Sequence, residues 1–206
     1  MNIDSPRPDP GHLPGEEAAR ANFYALIGRL FYDFPDAGLL VAIGGVGENV
    51  SGADESGALL QTWRRLRDAC RSADTGAFEQ EYVALFISTG RALVSPYISG
   101  YAGGMAGDKR VVRLRQQLEE MGLTRRDAIF EVEDHISGLC DVMRFLIESN
   151  QPIAAQKRFF DEFIHPGAIV LCDAVESAEP AVFYKIVARF ARVFFELENS
   201  AFAMET

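Results

Sequence analysis

Apolar residues return at steps of three and four along most of this chain, which is the period of an amphipathic helix. Phe23, Leu26, Ile27, Leu30, Phe31 and Phe34 form one such stripe, and Pro35 ends it. A short helix is predicted over 36–43, followed by a loop marked by Gly44, Gly45, Gly47, Ser51 and Gly52. Leu59, Leu60, Trp63, Leu66 and Cys70 supply the inner side of a helix over 56–73. Asp74 is placed to cap a further helix whose stripe is Phe78, Tyr82, Leu85 and Phe86. Residues 88–107 contain Gly90, Pro96, Gly100, Gly103, Gly104 and Gly107 and read as a long loop. Helix returns over 108–121, basic on its outer face, with Gly122 as its stop. Four more helices are predicted over 131–149, 152–164, 166–178 and 180–203. The last is apolar nearly all round: Phe183, Val187, Phe190 and Phe194 face one way, with Tyr184, Ala188, Ala191 and Phe195 behind them. Such a helix belongs inside a core. No run alternates apolar and polar residues for long enough to make a strand. The expected fold class is all-α, a single globular bundle of roughly eight to ten helices.

Residues 1–15 break the pattern with Pro6, Pro8, Pro10 and Pro14, and a flexible tail is expected there. Residues 16–206 are expected to form one helical domain carrying the glycine-rich loop at 88–107. The composition, 48% apolar and 24% charged, is that of a folded globular protein and excludes disorder as the overall state.

Charge narrows the partners. The net charge is -10, which disfavours nucleic acid because phosphate wants a basic surface. The excess is uneven: 131–206 hold 13 of the 30 acids, while 108–130 are slightly basic. Acidic regions suit a basic partner, although they also simply keep proteins soluble. Cys70, Cys140 and Cys172 are odd in number and widely spaced, so a disulfide framework is excluded and each reads as a small buried hydrophobe. The first six residues show no basic region or apolar run, so no signal peptide is expected, and the cytoplasm is the expected compartment. No stretch approaches the roughly 18 apolar residues of a membrane span, so no stable membrane insertion is expected.

The segment Glu131-Val132-Glu133-Asp134-His135-Ile136 carries the most chemical character. Read as a helix start, it places Ile136, Leu139, Cys140, Met143 and Ile147 on the core face, and Glu131, Asp134, Gly138 and Asp141 opposite. His135 lies on the flank, within reach of Glu131. One reading is a well-capped, solvated helix start. The other is a seat for a guanidinium, which carboxylates take by paired hydrogen bonds. Gly138 costs a helix about 1 kcal/mol relative to alanine, so its presence on that face points to a close approach to the backbone. The loop element Val94-Ser95-Pro96-Tyr97-Ile98-Ser99-Gly100-Tyr101 offers two tyrosines, as binding anchors or as aromatics folded back over the core.

Other chemistries are not encoded. His12, His135 and His165 lack metal-ligand spacing, and the glycines near 100–107 are not followed by the lysine of a phosphate loop, so neither metal nor cofactor is expected. Ser95 and Ser99 lie in no nucleophile motif.

Four pieces stand in a fixed order: Glu81-Tyr82-Val83-Ala84-Leu85-Phe86; Ser95-Pro96-Tyr97-Ile98-Ser99-Gly100-Tyr101; Glu131-Val132-Glu133-Asp134-His135-Ile136 with Leu139, Met143 and Leu146; and Phe183-Tyr184 in the last apolar helix. This order resembles the TorD/DmsD family of redox-enzyme maturation chaperones, related to the NarJ type. The resemblance spans roughly residues 20–200, and E-x-x-D-H-I is its most specific piece. It implies an all-helical, cytoplasmic, non-enzymatic chaperone. Such a protein binds an apo molybdoenzyme subunit, commonly through its twin-arginine signal peptide, assists cofactor insertion and delays export. Glu131, Asp134 and His135 would then bind the peptide, with Tyr97, Ser99 and Tyr101 lining the same region and Gly138 beside them. The family's H-L-x-P-W element corresponds here to Phe163-Ile164-His165-Pro166-Gly167, so His165 is displaced by two positions and inherits no role. Ile98 stands where smaller or polar residues are usual.

Two other functions compete. One is a small-molecule enzyme using Asp134 and His135 as acid and base. The other is a helical adaptor that binds a folded partner through exposed aromatics. The long glycine-rich loop allows a monomer or a domain-swapped dimer.

Overall fold

The computed structural model describes residues 15–46, 57–72, 74–87, 92–101, 104–123 and 134–204. The α-helices are α1 (Gly15–Tyr32), α2 (Ala37–Gly45), α3 (Ala58–Arg71), α4 (Thr75–Phe86), α5 (Gly104–Glu120), α6 (Ile136–Glu148), α7 (Ile153–Phe159), α8 (His165–Ser177) and α9 (Phe183–Met204). A 3-10 turn (Ile98–Tyr101) precedes α5, and one π turn (Phe160–Ile164) joins α7 to α8. Among the described residues the extended pairing is a single antiparallel bridge, Tyr97 with His135. The all-α expectation therefore holds. The tail expected over 1–15 lies outside the described residues, apart from Gly15 at the start of α1.

α9 runs through the centre and packs against α1, α3, α4 and α8, while α1 lies along α6. The reason is in its sequence, since Phe183, Tyr184, Phe190, Phe194, Phe195 and Phe202 are all buried. Phe23 meets Trp63, Phe190 and Phe194 edge-on at centroid distances of 6.1, 5.5 and 5.6 Å, a favoured aromatic geometry. Gly28 lets α1 approach α6 closely: a Cβ there would lie 3.2 Å from Cys140 Cβ and 3.3 Å from the Ser137 carbonyl oxygen.

Buried polar groups tie the helices together. Glu81 of α4 accepts hydrogen bonds from the amides of Val182, Phe183 and Tyr184 at 2.7, 3.0 and 2.7 Å, satisfying donors that the start of α9 would leave orphaned. Tyr82 and Tyr184 donate to the carbonyls of Tyr32 and Leu30 at the end of α1. Glu198 of α9 takes a two-pronged bond from Arg20, both contacts at 2.8 Å, and a third bond from the Tyr24 hydroxyl at 2.9 Å.

Three boundaries differ from expectation. α5 begins at Gly104, inside the stretch read as loop, because tertiary contact at Gly107 outweighs the poor helix propensity of glycine. The break expected near Pro166 is absent. Pro166 lacks the N–H that would bond back four residues, and the chain widens into a π turn in which the His165 amide bonds to the Phe160 carbonyl. α6 starts at Ile136, so Asp134 and His135 precede the helix rather than lie on its surface.

Candidate functional site

The chain from 92 to 101 leaves α4, is anchored by the Val94 amide on the Leu85 carbonyl at 2.9 Å, and runs alongside the entry to α6. Two backbone bonds fasten the segments: Ile98 N–H to the Asp134 carbonyl and Ile136 N–H to the Pro96 carbonyl, both 3.0 Å. The Asp134 carboxylate then reaches back to the turn. Its Oδ2 accepts from the Ser99 amide at 3.0 Å and from the Ser99 hydroxyl. Asp134 is only 3% exposed, and among the described residues no lysine or arginine pairs with it.

His135 caps α6, its Nδ1 accepting the Ser137 amide at 3.1 Å. That bond requires a bare Nδ1 and so assigns the remaining ring proton to Nε2. Tyr97, half-buried, stands edge-on to the imidazole at 5.2 Å. Burial pushes the imidazole pKa down to about 4, the nearby Asp134 charge opposing this only in part. His135 is therefore neutral near pH 7. Tyr101 turns inward, donating to the Ser95 carbonyl at 2.7 Å, and burial raises its phenol to about 12.

The turn is seated between two glycines. A Cβ on Gly107 of α5 would lie 2.6 Å from the Ser99 carbonyl oxygen. A Cβ on Gly167 of α8 would lie 2.5 Å from Ile98 Cγ2 and 2.9 Å from its carbonyl oxygen. No side chain fits at either place. Ile98 and Gly167 are thus a matched pair: the isoleucine occupies the space that any Cβ at 167 would need.

Tyr97 and Ser99 lie against His135 and Asp134, and Tyr101 sits on the same turn with its hydroxyl on the Ser95 carbonyl. Glu131 lies outside the described residues. Gly138 is buried in the first turn of α6, not on an open polar face. The solvated face predicted for Asp134 and Gly138 is corrected, because α6 is covered on nearly every side, α1 included. Gly107, Ile98 and Gly167 escaped the sequence reading as parts of this site. Their signal was only the coincidence of a large residue at 98 with a glycine at 167.

The family model for the nitrate reductase delta subunit matches residues 53–173, more than half of the chain, including the turn at Ile98–Tyr101 and the Asp134–His135 pair. The chain belongs to the nitrate reductase delta subunit family. This agrees with the NarJ-related kinship read from the motifs. No curated protein gives a match. A solved structure from Archaeoglobus fulgidus, assigned as a redox enzyme maturation protein, is 24% identical, with a TM-score of 0.50 over 86% of this chain and 92% of that one. The two share a fold. Within the described residues no group of three His, Cys, Asp or Glu side chains is arranged to hold a metal ion, and no helix is long and apolar enough to cross a membrane.

Proposed function

We propose that this protein is a non-catalytic, cytoplasmic maturation chaperone for a molybdoenzyme subunit, and that it holds the apo subunit by its twin-arginine leader until the cofactor is inserted. Membership of the nitrate reductase delta subunit family supports the general role. The observation that carries the finer reading is the Asp134 carboxylate, buried and without a cation of its own among the described residues. A guanidinium from the leader would supply that cation with charge-assisted bonds. Tyr97 is half-buried beside it and offers contact to the peptide, with Ser99, His135, Tyr101 and Gly138 shaping the wall and Glu131 close in sequence.

The same geometry favours binding over acid–base chemistry. The Nδ1 lone pair of His135 is held by a backbone amide and Asp134 is bonded to Ser99, so the pair is not set up to pass a proton.

Calorimetry with a synthetic twin-arginine leader tests the reading. Asp134→Asn should lower affinity about tenfold or more, and wild-type affinity should fall as salt rises. Equal binding by wild type and variant would remove Asp134 from the site.

A further inference from the structure

Asp134 cannot meet an external guanidinium as it stands, because it is 3% exposed and its Oδ2 is bonded to both the amide and the hydroxyl of Ser99. We propose that Ser99 is an internal competitor for that carboxylate, so that leader binding is an exchange in which the turn at Ile98–Tyr101 lets go of Asp134. The proposal rests on the peptide-binding reading above and adds a regulator to it.

Two features support an exchange rather than a fixed contact. The occupant is a neutral serine, a weaker partner for a carboxylate than a guanidinium. The occupant sits on a four-residue turn, which has few bonds to break compared with a helix. The turn's packing against Gly107 and Gly167 gives a second handle on it, since a Cβ at either place would displace the turn. A protein whose competent state is a minor one binds with an apparent affinity reduced by that fraction. Loosening the Ser99 contact therefore raises affinity, whereas loss of a direct peptide contact lowers it.

Ser99→Ala removes the hydroxyl and keeps the amide. Gly107→Ala leaves Ser99 intact and pushes on its carbonyl from α5. Two readouts apply to both variants: hydrogen exchange of the Ile98 and Ser99 amides without peptide, and calorimetric affinity for a twin-arginine leader peptide. The expected result is faster exchange at both amides and a leader affinity raised about three- to tenfold, with Ser99→Thr close to wild type. If Ser99→Ala binds the leader more weakly, or its amide exchange is unchanged, the competitor role is overturned while the peptide reading stands. If neither wild type nor any variant binds the leader, the peptide reading fails and the exchange falls with it. Binding by the variants alone supports the proposal in its strongest form.

Discussion

Glu198 and Asp134 are both carboxylates with about 3% of their surface exposed, yet the chain treats them in opposite ways. Glu198 is neutralised from within: Arg20 grips both oxygens, Tyr24 adds a hydroxyl, and all three groups ride on long helices. Among the described residues, Asp134 receives uncharged donors alone, and they come from a short turn. Glu81 sits between these extremes, satisfied by three amides at the start of α9. The difference separates a clamp from a site. A carboxylate closed by its own cation on rigid elements has nothing left to recruit. One closed by a serine on a turn keeps its charge unanswered.

The largest expected effect lies on the clamp side. Glu198→Ala leaves the buried Tyr24 hydroxyl without its acceptor and Arg20 with Glu17 as its remaining carboxylate, and should cost about 3 kcal/mol in urea unfolding, with leader affinity per folded molecule unchanged. A loss below about 1 kcal/mol would mean that Glu198 is not a clamp. Glu81→Ala should cost about 3 kcal/mol, since three donors at the α9 terminus lose a charged acceptor; Glu81→Gln should recover part of it.

pH sharpens the contrast from the other side. The folded imidazole of His135 titrates at about 4, below its unfolded value of about 6.5. Between those values the unfolded chain binds the extra proton, so stability is complete above about pH 6.5 and declines as pH falls towards 4. The loss approaches about 3 kcal/mol. His135→Asn retains an acceptor for the Ser137 amide and should flatten that slope in chemical denaturation followed across pH. An unchanged slope would place the pH sensitivity elsewhere.

Smaller effects probe the seat of the turn. Gly167→Ala should destabilise by about 1–3 kcal/mol through overpacking against Ile98. Ile98→Ala is itself costly because Ile98 is fully buried, but combined with Gly167→Ala it should cost less than the sum of the two, a coupling that a double-mutant cycle measures directly. Additive costs would show that the two residues do not share one space. Smallest of all, Ser99→Ala should cost about 1 kcal/mol of stability, because the amide bond to Asp134 remains.

The motif residues show how far single-chain reading reaches. Glu81, Tyr82 and Tyr184 stood out in the ordered pattern, and the structure shows them bonding helix ends. Asp134 and His135 were read as part of a helix surface and so were misplaced in space. Helical phasing put Asp134 on an open face, whereas it lies before the first turn of the helix and turns inward to Ser99. Periodicity says which residues of a helix face alike; it is silent on where the helix begins and on what covers its other side.

The sequence by itself determined the helices, their apolar stripes, the central rank of α9 and the kinship, since local periodicity and residue order are properties of the chain. Only the tertiary structure decided that Ile98 pairs with Gly167, that Ser99 answers Asp134, and that Arg20 belongs to Glu198. Those partners lie 69, 35 and 178 positions apart. Which of many distant groups meets a buried charge depends on how whole helices stack, and no local pattern carries that choice.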